Sequence, residues 1–86
     1  GEDIKKTKEV LLKVLTSNDK VLTDPAPSVN VMELADSSVN FAVRPFCKPE
    51  DYWDVYFATH ENCKIALDEA GIEIPYPHRV QIQKES

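Results

Sequence analysis

The chain has 86 residues, a net charge of −5, 42% hydrophobic and 29% charged residues. This composition describes one soluble globular domain, spanning 1–86, whose core is large enough to fold with little to spare. No apolar run approaches the roughly 20 residues of a membrane helix, and no secretory signal pattern is present. An acidic chain without a basic stripe is also a poor nucleic-acid binder, because phosphate neutralisation supplies most of that affinity. The cysteines, Cys47 and Cys63, form no disulfide framework and fit a reducing compartment.

The chain opens directly on a helix and reads as a piece of a longer protein. Asp3 is a plausible N-cap. Ile4, Thr7, Leu11 and Val14, flanked by Val10 and Leu15, predict an amphipathic helix over 3–17. Its Lys5, Lys6, Lys8 and Lys13 read as a solvated face, with a docking patch as the second reading. Residues 19–27 are a connector, and the Asp-Pro-Ala-Pro run at 24–27 hands the chain over extended.

Two strands follow, over 28–34 and 39–45. Val29 and Val31 alternate, then Met32 and Leu34 alternate on the opposite parity, which predicts a bulge or a strand partly covered on both faces. Residues 35–38 are turn-like, and Val39, Phe41 and Val43 alternate cleanly, so the pair reads as a hairpin. Pro45 lacks an N–H and should end the second strand or leave that ladder position unpaired.

The longest element is predicted over 49–70. Pro49 suits a first helical position, and Glu50, Asp51 and Asp54 place negative charge at the positive end of the helix dipole. Gly71 suits the left-handed position past the end, with Ile72 folding back on the last turn. Residues 49–73 carry seven acids (Glu50, Asp51, Asp54, Glu61, Asp68, Glu69, Glu73) against Lys64 alone. Tyr52, Tyr56 or Val55, Thr59, Cys63, Ala66, Leu67 and Ala70 follow one apolar face. Trp53, Phe57 and Ile65 fall off it. A wide stripe packed under a second element is the preferred reading. The other is contact with a second chain, where aromatic residues are enriched. After the helix, Pro75-Tyr76-Pro77 forces a stiff, extended passage. Val80 and Ile82 mark a short strand over 78–83, with 84–86 frayed.

The order helix, strand, strand, helix, strand is an α+β arrangement: the ferredoxin-like split βαββαβ pattern lacking its first strand, with two helices on one face of a small sheet. The missing strand would be central. Without it, either the last strand closes beside the second as a parallel, right-handed crossover, or an open edge pairs with another chain.

Residues able to carry chemistry are few. His60, Cys63 and Cys47 are three scattered candidates where structural zinc needs four ligands at recognisable spacing, so buried thiols and a surface histidine are preferred and no metal site is assigned. Asp51 with Asp54, and Asp68 with Glu69, are paired acids that read first as helix-end and solvent-face charges rather than a catalytic pair. Small ferredoxin-like hydrolases of acyl phosphates use an Arg and an Asn, but here no Gly-rich loop accompanies Arg44 and Asn40. Sharing one strand face, these two read as structural polar groups. Ser37-Ser38 lacks a nucleophile-elbow context and reads as turn chemistry. No catalytic residue and no cofactor is assigned.

Several motifs together resemble one family. They are the stretch 31–41 (Val-Met-Glu-Leu-Ala-Asp-Ser-Ser-Val-Asn-Phe), Arg44, Asp51-Tyr52-Trp53-Asp54-Val55, the run from Ile65 to Ala70-Gly71-Ile72, and Ile74-Pro75-Tyr76-Pro77. In that order and spacing they resemble the C-terminal cytoplasmic region of the small-conductance mechanosensitive channel family, over about residues 3–82. The family often has Gln after Pro-aromatic-Pro, where this chain has His78. The resemblance implies a bacterial inner-membrane channel, typically homoheptameric, that opens under tension and releases ions and osmolytes on hypo-osmotic shock. It also implies a hollow cytoplasmic cage to which this segment gives the α/β part, a strand before the first helix, and membrane attachment through upstream segments.

On this reading the chain is a non-catalytic vestibule domain on the cytoplasmic side of the inner membrane, with identical subunits as partners and no nucleic acid. Trp53, Tyr56, Phe57 and Tyr76 are the candidate packing or subunit-contact residues, and Arg44 and Asn40 the candidate structural polar pair. The runner-up is a freestanding ferredoxin-like regulatory or ligand-binding module. A small hydrolase using Arg44 ranks third.

Overall fold

The computed structural model describes residues 4–33, 39–72, 79–80 and 82–84. Asp3, Leu34, the turn at 35–38, the Pro75-Tyr76-Pro77 passage and His78 lie outside the described residues. Helix α1 spans Ile4–Thr16, strand β1 Ser28–Glu33, strand β2 Val39–Arg44, and a two-residue strand β3 Phe46–Cys47. A 3-10 turn at Pro49–Asp51 leads into helix α2, Tyr52–Glu69, followed by two short strands, β4 (Arg79–Val80) and β5 (Gln83–Lys84). The fold is α+β.

Helix α1 buries Thr7, Leu11 and Leu15, which are four residues apart and therefore drift slowly round one face. The predicted stripe is corrected at its start, because Ile4 is exposed and Val14 half-buried. Ser17 and Thr16 close the helix by donating their hydroxyls to the Lys13 carbonyl at 2.7 and 3.2 Å. The connector then turns on Asn18, whose side-chain oxygen accepts from the Lys20 N–H at 3.0 Å, an Asx turn. Val21 is buried, and the Leu22 N–H donates to the Phe46 carbonyl at 2.8 Å, tying the connector to β3.

Strands β1 and β2 pair antiparallel from Ser28↔Arg44 to Glu33↔Val39 with unbroken register, so the expected bulge is absent from the described pairs. Strand β4 pairs parallel with β2 (Ala42↔Arg79, Val43↔Val80), giving the sheet order β1-β2-β4. The last strand therefore lies beside the second and parallel to it, the pairing that the first of the two expected arrangements requires. Pro45 is buried and interrupts the second strand, because it has no N–H for a ladder. Beyond it, β3 pairs parallel with β5 as a separate two-stranded sheet. The single strand expected over 78–83 is therefore two pieces serving two sheets. Lys84, expected to be frayed, is paired with Cys47.

Helix α2 enters through an extended Lys48 and Pro49 at the first position of the 3-10 turn, as the proline's missing donor favours. It ends in a Schellman motif. Gly71 has φ 70°, its N–H donates to the Asp68 carbonyl at 3.1 Å, and the Ile72 N–H reaches the Leu67 carbonyl at 2.9 Å. Both helices cover one sheet face, α1 over β1 and α2 over β4, and they pack against each other. The core between the layers joins Leu11 and Leu15 of α1, Val55, Cys63 and Leu67 of α2, and Val29, Phe41, Val43 and Cys47 of the strands. Val29 and Val43 are partners across the ladder and both are buried, whereas Val31, opposite buried Phe41, is exposed, so the helices cover this apolar face only in part.

Candidate subunit-contact face

On α2 the buried residues are Val55, Thr59, Cys63 and Leu67, again at four-residue spacing. Trp53 and Phe57 are both 62% exposed and Ile65 is also exposed, so no second element of the chain covers them among the described residues. The preferred expectation of a wide packed stripe is corrected: the covered stripe is narrow.

The off-stripe aromatics form a cluster instead. Trp53 and Phe57 stack with centroids 6.0 Å apart, and Tyr56 meets them edge-on at 5.5 and 5.4 Å. Tyr52 stacks on Tyr56 at 6.4 Å and meets Trp53 edge-on at 5.0 Å, while the His60 ring lies 4.7 Å from that of Tyr56. Offset and edge-on pairs of this kind are favourable beyond the area they cover. They hold the large rings in a fixed ridge, with half-buried Tyr52, Tyr56 and His60 at its base and exposed Trp53 and Phe57 at its crest.

Acidic groups flank the ridge. Asp54 pairs with Lys20 of the connector at 2.6 Å, a bond and charge that hold the Lys20 ammonium above its ordinary range. Both side chains are well exposed, so the link positions more than it stabilises. Lys64, the single cation of α2, pairs with Asp68 one turn on at 3.1 Å. Glu50 and Glu61 are exposed.

The structural polar candidates sit on β2. Arg44 is half-buried at the strand end opposite Ser28, and Asn40 is opposite Met32 in the ladder. Arg44 shares the parity of Ala42, which is fully buried, and so belongs to the sheet face away from Phe41 and Val43. The side chain of Asn40 and the whole of Tyr76 lie outside the described residues, so neither is brought to a site or separated from one.

The zinc alternative does not assemble. Cys47 and Cys63 are buried in the core and neither is in a disulfide, and burial pushes Cys63 from 9.0 up to about 11, the reverse of a metal-binding thiolate. His60 sets its ring against Tyr56. Among the described residues no three His, Cys, Asp or Glu side chains gather as a metal group. No helix among them is long and apolar enough to cross a membrane.

Two grooves flank α1. One, of about 790 Å³, lies between the helices and is lined by Val10, Val14, Asn62, Ala66 and Glu69 among others. The other, about 510 Å³, lies on the β1 side and is lined by Ile4, Lys5, Lys8, Glu9, Leu12 and Val29. Sequence reasoning missed this second apolar surface. Its signal was present as Ile4, Lys8 and Leu12 at four-residue spacing, one position off the core stripe.

Residues 1–74 match the family described as "Mechanosensitive ion channel MscS, C-terminal". The chain is 46% identical over 78 residues to an uncharacterized MscS family protein of Synechocystis, covering 91% of this chain and 26% of that protein. It is 41% identical over 75 residues to the small-conductance mechanosensitive channel of Edwardsiella ictaluri, covering 87% of this chain and 26% of the channel. An uncharacterized MscS family protein of Archaeoglobus fulgidus is 34% identical over 80 residues, covering 93% of this chain and 28% of that protein. The chain belongs to the MscS mechanosensitive channel family and corresponds to its C-terminal domain. It spans about a quarter of the length of these relatives.

Proposed function

We propose that the chain is one subunit's share of the cytoplasmic vestibule of a mechanosensitive channel, a non-catalytic domain on the cytoplasmic side of a bacterial inner membrane. Its fold is read as ferredoxin-like without the first strand, which upstream sequence supplies. Identical subunits, seven by family resemblance, pack into a cage below a pore that releases ions and small osmolytes on hypo-osmotic shock. Trp53, Tyr56 and Phe57, with Tyr76, make the packing and subunit contacts. Arg44 and Asn40 hold the sheet's other face.

The observation that carries this reading is the family match across residues 1–74, joined to an aromatic ridge that the described residues leave uncovered. Aromatic crests of this kind are what subunit contacts use. The acidic balance of α2 supplies the second part of the mechanism: negative surface around the cage openings biases which ions and osmolytes approach the pore. The test is functional. The native protein is expressed in bacterial cells stripped of their own mechanosensitive channels, and excised membrane patches are stretched. Tension-activated current and survival of osmotic downshift are expected. Protein present in the membrane with neither effect overturns the reading.

A further inference from the structure

Strand β1 is an outer strand. Among the described residues it pairs with β2 alone, over Ser28–Glu33. In an antiparallel pair every second residue turns its N–H and C=O away from the partner, so this edge offers a row of donors and acceptors to an incoming strand. Proteins guard such edges with proline, lysine, a bulge or a very short strand. The opposite edge, β4, is two residues long. Strand β1 is not guarded in these ways: Ser28-Val29-Asn30-Val31-Met32 holds no proline or lysine, and its register with β2 is unbroken.

An apolar groove runs beside that edge. Val29 is buried toward the helices, and Val31, on the same face by parity, is 38% exposed. Helix α1 turns Val10 and Val14 toward α2. At about 100° per residue, Ile4, Lys8 and Leu12 then fall on the opposite flank of α1, over the outer side of β1. There the groove of about 510 Å³ is walled by Ile4, Leu12 and Val29 and edged by Lys5 and Lys8, with Glu9 the one acid of its lining. Ile4 and Leu12 are 42% and 39% exposed. A strand laid along β1 therefore meets ladder partners at the edge and an apolar, net basic groove beside one row of its side chains.

We propose that this edge takes an extended peptide segment of a partner protein as an added strand. The helix-side row of that segment reads apolar, acidic, apolar against Ile4, Lys8 and Leu12. Backbone pairing supplies affinity in such a site, and the alternate side chains supply specificity. Charge selects the occupant. Two copies paired β1 to β1 about a two-fold axis would bring Lys5 and Lys8 of both to one seam, and like charges oppose that pairing. An acidic segment meets the same lysines with opposite sign. The site is separate from the Trp53–Phe57 ridge, which lies on the side of α2 toward β4, and it does not rest on the cage reading.

The test uses the native full-length protein, reconstituted in lipid nanodiscs and titrated with a fluorescent peptide, Thr-Val-Thr-Glu-Thr-Val-Thr, read by anisotropy. Saturable binding is expected. Lys8→Glu should weaken it about two- to fivefold, the range of an exposed ion pair, and replacing the peptide's Glu by Lys should restore it in that variant. Val31→Lys, which sets an edge-guarding lysine at an exposed position, should abolish binding. N-methylation of alternate peptide residues separates strand pairing from adhesion: one parity should abolish binding and the other leave it. That comparison uses the unsubstituted protein and so stands whatever the variants do to folding. No binding, binding indifferent to both N-methyl patterns, or full binding by Val31→Lys overturns the proposal. So does a covalent dimer from Val31→Cys treated with a short bis-maleimide, which would make a second copy the occupant.

Discussion

Trp53 and Phe57, one turn apart on α2, stack with centroids 6.0 Å apart and planes 29° from parallel, and both rings are 62% exposed. Rings that touch each other but little of the core contribute little to the fold of the single chain. Trp53→Ala or Phe57→Ala should therefore lower unfolding free energy by only about 1 kcal/mol, the scale of aromatic pair contacts, while reducing the oligomer. Thermal denaturation beside mass measurement checks both. A loss of several kcal/mol with the oligomer intact would place the rings in the core's service instead.

Leu11 and Leu12 are neighbours in sequence with opposite environments, the first fully buried and the second exposed beside the β1 groove. Leu11→Ala opens a cavity under α1 and should lose about 2.7–5 kcal/mol. Leu12→Ala should lose about 1 kcal/mol or less. Urea unfolding of the two variants side by side reads the difference, and equal losses would mean that the inward face of α1 is misassigned.

Gly71 takes φ 70° with open space where a Cβ would go. Gly71→Ala therefore meets no clash, and its effect is conformational alone, about 1–2 kcal/mol for a left-handed alanine. In a domain of this size the melting temperature should fall by several degrees. An unchanged melting temperature would indicate that the Schellman turn is not held in the folded chain.

Cys63 gives a pH dependence with a definite sign. Burial disfavours its thiolate and raises the group from 9.0 to about 11. Above pH 9 the unfolded chain releases this proton while the folded chain keeps it. Stability should then fall by up to about 1.4 kcal/mol per pH unit until the folded value is reached. Below pH 9 the group has no effect. Denaturation curves at pH 8 and pH 10 should diverge for the native sequence and diverge less for Cys63→Ala. Equal divergence in both would remove Cys63 as the cause.

The helices and hairpin were legible because their signals are local. The Thr7-Leu11-Leu15 spacing, Pro49 at the helix entry, Gly71 at its end and the Val-x-Phe-x-Val alternation of β2 each act within a few residues. The ridge was legible only as residues off the stripe. Periodicity says that Trp53 and Phe57 leave the core face, but whether another element covers them depends on tertiary placement. The split of the last strand was hidden for a similar reason. Pro45 breaks the ladder on the far side of α2 in sequence, and only the pairing of β4 with β2 and β5 with β3 carries that break across. The β1 groove went unread because Ile4 fits the core stripe by spacing, and Leu12, one position past Leu11, then stands alone as an apolar residue off it.

The most direct test of the central claim is the mass and location of the native protein. Source cells are fractionated with an antibody raised to this segment, and whatever carries the epitope is solubilised in detergent and weighed. A membrane-bound complex of several identical subunits is the predicted result. A small species in the soluble fraction, with one copy of the chain, would contradict the vestibule reading and leave a freestanding module in its place.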